Sequence, residues 1–234
     1  MNNESKNKNR FLGLLKNYGK YFYEVYQEQG LNYEDLGKTV SRVIAESFKD
    51  KSIKILDLGF GDGETSKFLI DNGYINITGI DIDQDILNEA KKLYGSQVKL
   101  IICDMTDLSI FKRGDFDVVI SGESIHNLSK DKRKTFWKEL IRLSPKACVF
   151  ADKIFDGDIE KHNISYRSEL NAIYKIYKDK YNLPDVANAW VKHYEEDEKE
   201  LLTVDEIYDS LGEFYFFNIA IELGLNKVVL CKLK

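Results

Sequence analysis

Ile55-Leu56-Asp57-Leu58-Gly59-Phe60-Gly61-Asp62-Gly63 carries an apolar strand into three alternating glycines and then into a helix-forming segment. Three close glycines after a buried strand let the chain turn sharply. They also let a ligand approach backbone where a Cβ would collide. The spacing restricts that ligand. A dinucleotide fingerprint, G-x-G-x-x-G, needs a small residue where this chain has Glu64, and Asp62 also crowds the first turn of the helix. A pyrophosphate relies on bare N–H groups and an uncompensated helix dipole, which two carboxylates would spoil. The loop therefore reads as the seat of a nucleoside-bearing ligand without phosphate.

Outward from this loop, strand and helix alternate from residue 53 to about 155, with turns marked by Gly73, Gly95 and Gly114 and helices over 64–72 and 84–93. This alternation predicts a parallel, doubly wound α/β sheet with helices on both faces. Residues 75–80 alternate and end in Gly79-Ile80-Asp81-Ile82-Asp83. That places a carboxylate at the end of a second strand about 20 residues beyond the glycines, where ribose hydroxyls need an acceptor. A third strand over 98–103 ends at Asp104-Met105, and a fourth over 116–120 ends at Ser121. Residues 136–143 carry apolar positions at helical spacing, and Ser144-Pro145 stops that helix before a fifth strand over 147–151. Residues 214–222 and 227–232, separated by Gly224 and Asn226, read as two β segments joined by a tight turn.

With these elements in order, the chain resembles the class I S-adenosylmethionine-dependent methyltransferases, whose first motif has the form acidic-x-Gly-x-Gly-x-Gly. Asp57, Gly59, Gly61 and Gly63 match it. The resemblance covers residues 50–155 by motif and the C-terminal hairpin by pattern. It implies a mostly parallel seven-stranded sheet closed by an antiparallel hairpin, with S-adenosylmethionine as cofactor and S-adenosylhomocysteine as product. It also implies that Asp57 and the three glycines hold the cofactor and that Asp81 accepts from the ribose. Ile82 would flank the adenine, Asp104 would accept from its amino group, Met105 would lie along the ring and Ser121 would border the site. An aspartate at a strand end is also a common turn former or helix cap, and for each of these residues taken singly that reading stays open.

The chemistry is less legible. A sulfonium methyl is already electrophilic, so the protein mainly aligns the nucleophile, excludes water and supplies a base where the nucleophile is protonated. Ser121-Gly122-Glu123-Ser124-Ile125-His126-Asn127-Leu128 lies where the family's substrate-facing loop begins. His126 is the first candidate base, because histidine titrates near neutrality. It could equally order the loop or cap the next helix. His193, beside Tyr194, is a second candidate and His162 a third. Glu123 could orient an amine substrate or contact the methionine part of the cofactor. No metal is expected: Ser121 stands where the catechol-type relatives place an acid, Asp152 is followed by Lys153 rather than asparagine, and no zinc spacing occurs.

Residues 156–200 are polar and aromatic, mostly helical in pattern, interrupted at Leu183-Pro184, and too long for a simple crossover. Ligand sites in open α/β sheets lie beyond the carboxyl ends of the strands, so this insertion reads as a helical lid, with Trp190 and Tyr194 as candidate lining residues. Tyr18, Tyr21, Phe22, Tyr23 and Tyr26 form a second aromatic group in an N-terminal helical cap over 1–50. Tyr18, Phe22 and Tyr26 could enclose a sulfonium or cationic substrate. They could also simply pack. The segment 201–234 holds a closing helix, with Thr203 as N-cap and Glu206 in the capping-box position, and then the hairpin. No domain boundary is drawn within 1–234.

At 234 residues with 43% hydrophobic content, the chain can bury a sizeable core. Its net charge of -5 supplies no global basic field for nucleic acid or anionic lipid. Basic runs at 130–134 and 175–180, and the acidic run 195–198, read as solvated helix faces. Cys103, Cys148 and Cys231 lack metal or redox spacing and read as core residues of a reducing compartment. The first ten residues, rich in asparagine and lysine, lack the apolar stretch of a signal peptide, and no apolar run approaches a membrane span, so a cytoplasmic protein is expected. The loop after the fourth strand lacks the Asn/Asp-Pro-Pro-aromatic motif of enzymes that methylate base amino groups, and no Pro-Cys nucleophile occurs. The function expected is methyl transfer to a small-molecule oxygen, nitrogen or carbon nucleophile. A tRNA or protein methyltransferase and a non-catalytic S-adenosylmethionine-binding protein are the alternatives, and monomer and homodimer both stay open.

Overall fold

The computed structural model describes residues 17–18 and 21–234; the first ten residues singled out above lie outside them. In chain order the helices are α1 (Phe22–Glu28), α2 (Glu34–Ser47), α3 (Glu64–Asp71), α4 (Gln84–Tyr94), α5 (Lys130–Leu143), α6 (Ile159–Ile173), α7 (Pro184–Asp197) and α8 (Val204–Leu211). The strands are β1 (Lys54–Leu58), β2 (Asn76–Asp81), β3 (Val98–Ile102), β4 (Val118–Gly122), β5 (Ala147–Lys153), β6 (Tyr215–Leu223) and β7 (Asn226–Leu233). The chain divides into two compact units, one made of Glu34–Gly157 with Leu202–Lys234, the other of Asp158–Leu201 with the described residues up to Tyr33.

The larger unit is a seven-stranded sheet in the order β3-β2-β1-β4-β5-β7-β6. β1 to β5 run parallel, β7 pairs antiparallel with β5, and β6 with β7. β1, β4 and β5 are buried almost end to end, as strands covered on both faces must be. Leu56, Leu58, Ile80, Val119, Phe136, Trp137, Leu140 and Phe150 belong to one continuous core. The strand order reverses between β1 and β4, and a parallel α/β sheet opens its ligand crevice at the carboxyl ends of strands flanking that point. The glycine loop leaves β1 there, and the loop carrying His126 leaves β4 there.

The hairpin and the helix ends follow their sequence signals. Gly224 turns between β6 and β7 at φ 62°, and Ser144 ends α5 in the left-handed region at φ 51°. Thr203 caps α8 by accepting the Glu206 N–H at 2.9 Å. Glu206 does more than complete the cap. Its carboxylate takes the Arg133 Nε at 2.8 Å and the Trp137 Nε1 at 3.1 Å. Arg133 is fully buried, which corrects the reading of 130–134 as an entirely solvated face: Lys130, Lys132 and Lys134 are exposed, but the α5 repeat turns Arg133 inward. Cys148 and Cys231 are opposed across β5 and β7 as buried free thiols, and burial pushes both thiols upward.

The smaller unit is helical. α6 runs into a π-helical turn, Tyr174–Lys180, and Pro184 opens α7 at its first turn, where a missing N–H is harmless. Aromatic stacking holds it together. Phe22 stacks on Trp190 with centroids 4.2 Å apart and Tyr21 on Tyr181 at 4.1 Å, while the Tyr177 hydroxyl donates to the Tyr18 carbonyl at 3.0 Å. Two members of the basic run 175–180 are ion-paired, Lys180 to Glu24 and Lys175 to Glu28.

Candidate active site

Each glycine of the opening loop has a positive φ: 71° at Gly59, 55° at Gly61 and 81° at Gly63. A Cβ on Gly59 would stand 2.3 Å from Ser124 Oγ and 3.0 Å from Met105 Cε, and one on Gly63 would enter the Phe60 and Tyr94 rings at 2.6 Å. Gly61 differs. A Cβ there would meet nothing nearer than the Gly59 carbonyl at 4.0 Å, so the loop is packed at both ends and open at its middle. The Asp62 carboxylate accepts the Glu64 N–H at 3.3 Å, which occupies the α3 N-terminus and agrees with the exclusion of a pyrophosphate there.

Asp81 ties the loop to β2. One carboxylate oxygen accepts the Gly61 N–H at 3.0 Å and the other the Asp83 N–H at 2.9 Å, while the side chain stays partly exposed at the strand end. A carboxylate has about four lone-pair sites, so two backbone donors leave capacity for a further donor. Asp83 is the helix cap of the pair, accepting from Asp85 and Ile86. Ile82 beside it is 67% exposed, an apolar surface at the mouth of the crevice. After β3, Asp104 Oδ1 accepts from the Thr106 N–H at 2.8 Å and its hydroxyl at 2.7 Å. Met105 reaches back to Gly59.

Asp57 and Ser121 play a different part from the one their motif positions suggest. Both are buried, so they shape the site from beneath rather than line it. Asp57 accepts the Ser66 hydroxyl at 2.6 Å, and Ser121 Oγ donates to the Leu58 carbonyl at 2.9 Å, sewing β4 to β1. Burial pushes the Asp57 carboxyl up to about 7, with nearby Asp81 adding to the rise and the Ser66 hydrogen bond opposing it.

The loop after β4 approaches the glycine loop through Ser124, whose Oγ lies 3.2 Å from the Gly59 carbonyl and 2.9 Å from that of Gly122. Glu123 takes a left-handed φ of 47°, a strained conformation for a non-glycine residue. The next turn, Ile125–Asn127, carries His126, whose Nδ1 is hydrogen-bonded to Asp152 Oδ1. Asp152, at the end of β5, is fully buried. Sequence reasoning weighed it only as a metal ligand and passed over Ser124. The available signal was an acid ending an apolar strand, as Asp57 and Asp81 also do.

The remaining candidates lie in the helical unit. His193 Nε2 pairs with Asp197 at 3.6 Å, and His162 Nε2 with Glu198 at 2.9 Å. Tyr194 donates to the buried Glu169 carboxylate, and Trp190 packs against Phe22, Tyr177 and Tyr194. Tyr26 packs edge-on against Phe22 and Tyr33. Their ring faces are thus engaged in the packing of that unit.

Residues 55–146 match the family model of a methyltransferase domain. Among solved structures, the fold is similar to that of the PH0226 protein from Pyrococcus horikoshii OT3, with a TM-score of 0.57 and 18% identity over 84% of this chain and 88% of that one. It is similar to a TehB-like S-adenosylmethionine-dependent methyltransferase from Corynebacterium glutamicum ATCC 13032 Kitasato, with a TM-score of 0.54 and 14% identity over 84% and 88%. It is also similar to magnesium protoporphyrin IX methyltransferase from Synechocystis PCC 6803, solved with bound S-adenosylmethionine, with a TM-score of 0.56 and 14% identity over 90% and 81%. No curated protein sequence matches the chain. The fold is that of these solved structures, and the glycine loop lies within the matched residues. The match over residues 55–146 is to a methyltransferase domain, and a domain of that kind would take S-adenosylmethionine as cofactor. The residues fit that cofactor on their own geometry: a loop open at Gly61, an acceptor at Asp81 and an exposed apolar side chain at Ile82.

Proposed function

We propose that this protein methylates a small-molecule oxygen, nitrogen or carbon nucleophile, with His126 as the base. The observation that carries the reading is a juxtaposition. Ser124 joins the His126 loop to the glycine loop, so a histidine paired with a carboxylate stands beside the cofactor seat. In this assignment Gly59, Gly61 and Gly63 form the cofactor loop, Asp81 receives the ribose, Ile82 and Met105 flank the base ring and Asp104 meets its amino edge. When bound, S-adenosylmethionine supplies an electrophilic methyl carbon, which takes the acceptor's lone pair while the carbon–sulfur bonding pair stays with sulfur. The chain's own task is to align the acceptor and remove its proton. Two features support a small acceptor over a polyanion: the net charge is -5, and the basic run 175–180 spends two of its lysines on ion pairs within its own unit. No helix among the described residues is long and apolar enough to cross a membrane.

The test is release of S-adenosylhomocysteine when the purified chain and S-adenosylmethionine meet size-fractionated cell extract. Product formed with the fraction below about 1 kDa, and lost in His126→Ala, supports the reading. Product formed only with the RNA or protein fraction overturns the small-molecule assignment.

A further inference from the structure

We propose that Glu139 and Arg142 of α5 are positioning residues for the adenine end of the cofactor: together they clamp the loop after β3 and so hold the Asp104 carboxylate where it can tell an amino group from a carbonyl. This assignment rests on the reading of Asp104 as the acceptor for the adenine amino group. Leu108 takes the clamp. Glu139 Oε2 accepts the Leu108 N–H at 3.0 Å, Arg142 Nη2 donates to the Leu108 carbonyl at 2.7 Å, and Arg142 Nη1 donates to the Phe111 carbonyl at 2.8 Å. The two side chains, one helical turn apart, also pair with each other at 2.7 Å. Both backbone groups of Leu108 are thus held by one ion pair. The Leu108 and Phe111 side chains are buried in the core, and backbone groups beside such anchors need partners of their own.

What the clamp fixes lies just upstream. The loop leaves β3 tied to β2, the Cys103 N–H donating to the Asp81 carbonyl at 2.9 Å. The Asp104 carbonyl then accepts the Asp107 N–H at 2.9 Å, while Asp104 Oδ1 takes both the Thr106 N–H and its hydroxyl. Asp104 therefore stands between two anchors, the strand ladder on one side and the α5 pair on the other. A carboxylate has about four lone-pair sites, so with Oδ1 engaged twice, Oδ2 is the oxygen that meets a further donor. Adenine offers an N–H donor at its exocyclic amino group. A base with a carbonyl there would set an acceptor against an acceptor and leave both unsatisfied. That discrimination depends on a held distance, because a hydrogen bond weakens steeply as its geometry departs from ideal. Hydrogen bonds from Arg142 keep the Glu139 carboxyl below the usual carboxylate range, so the clamp stays ionised at neutral pH. α5 also follows directly on the loop carrying His126, and one helix thereby sets both loops in a single frame.

The test compares calorimetric affinities of the full chain for S-adenosylhomocysteine and for S-inosylhomocysteine, the analogue with a carbonyl in place of the amino group. The wild type is expected to favour the amino compound by more than about tenfold, and Asp104→Ala to lose most of that preference. Arg142→Gln should lower the preference at least about threefold in the wild-type background and less than about twofold in the Asp104→Ala background, since both changes act at one point. Equal losses in the two backgrounds overturn the positioning role. So does an Arg142→Gln protein that unfolds at lower denaturant but keeps the full preference, because its clamp then serves stability alone. Glu139→Gln keeps an acceptor for the Leu108 N–H and weakens only the hold on Arg142. It should lower the preference in the same direction, and an unchanged preference there overturns the positioning role even where Arg142→Gln fails to fold. A wild type without preference, or a preference that Asp104→Ala leaves intact, overturns the reading of Asp104 itself, whatever the α5 variants do.

Discussion

At the scale of single residues, the loop after β1 is held by contacts that make separable demands. Gly59 combines a positive φ with a neighbour 2.3 Å from where a Cβ would stand. Gly59→Ala should lower stability by more than about 1 kcal/mol and weaken cofactor binding together, because strain and collision both act on one loop. Chemical denaturation and calorimetric titration would show the two losses. Asp81→Asn keeps the shape but removes a charged acceptor, and should weaken S-adenosylmethionine binding by about 1–3 kcal/mol with stability largely kept; unchanged affinity would remove Asp81 from the ribose. Asp57 makes a pH-dependent demand. Its carboxyl ordinarily titrates near 3.8 and is pushed to about 7 by burial. Between those values the unfolded chain has released this proton and the folded chain has kept it, so stability falls as pH rises through the window. The loss is complete above about 7 and is on the order of 4 kcal/mol at most. Asp57→Asn should therefore gain on the wild type between pH 4 and 8 in urea unfolding series. Parallel curves for the two proteins would count against a neutral Asp57.

At the scale of elements, α5 and α8 are joined by a polar contact within an apolar region. Arg133 donates to both Glu206 and the Leu128 carbonyl, at 2.8 Å in each case, from a fully buried position. Removing one partner of a buried pair leaves the other uncompensated, so Arg133→Met should cost about 3–5 kcal/mol. Adding Glu206→Gln should return part of it, since the stranded carboxylate is then neutral. A double-mutant cycle by thermal unfolding measures this, and additive losses would mean the pair is not coupled. The same contact shows what periodicity leaves undecided. A Lys/Arg-rich stretch on a helix reads as solvated until the neighbouring element is known, and here one of its members meets a carboxylate from a segment some 70 residues away along the chain.

At the scale of the whole molecule, the proposed cofactor site would link folding to binding through the loops at the switch point of the sheet. Those loops are contributed by β1, β2, β3 and β4, which come together only in the folded sheet. A ligand that binds the native state alone stabilises it by mass action, about 2.7 kcal/mol at a concentration 100 times its Kd. S-adenosylhomocysteine should therefore raise the melting temperature in a concentration-dependent way, and NAD should not. A rise with NAD alone would mean that the Asp62 and Glu64 carboxylates do not exclude a pyrophosphate.

Much of this architecture was legible in the sequence because its signals are local. The run from Ile55 to Gly63, the acids ending two further strands and the Gly224 turn each state their structure through neighbouring residues, and the five parallel strands and the hairpin appear within a few residues of their expected bounds. His126 could be named as a candidate base from its type and place. What only the tertiary structure decided is what long-range pairing decides. Parallel β4–β5 pairing brings Asp152 to His126 across 26 positions, and β1–β4 pairing buries Asp57 and Ser121 beneath the loop they were expected to line. A side chain's partner depends on which strand lies beside its own, and strand order is a property of the closed core that the spacing of residues along the chain does not carry.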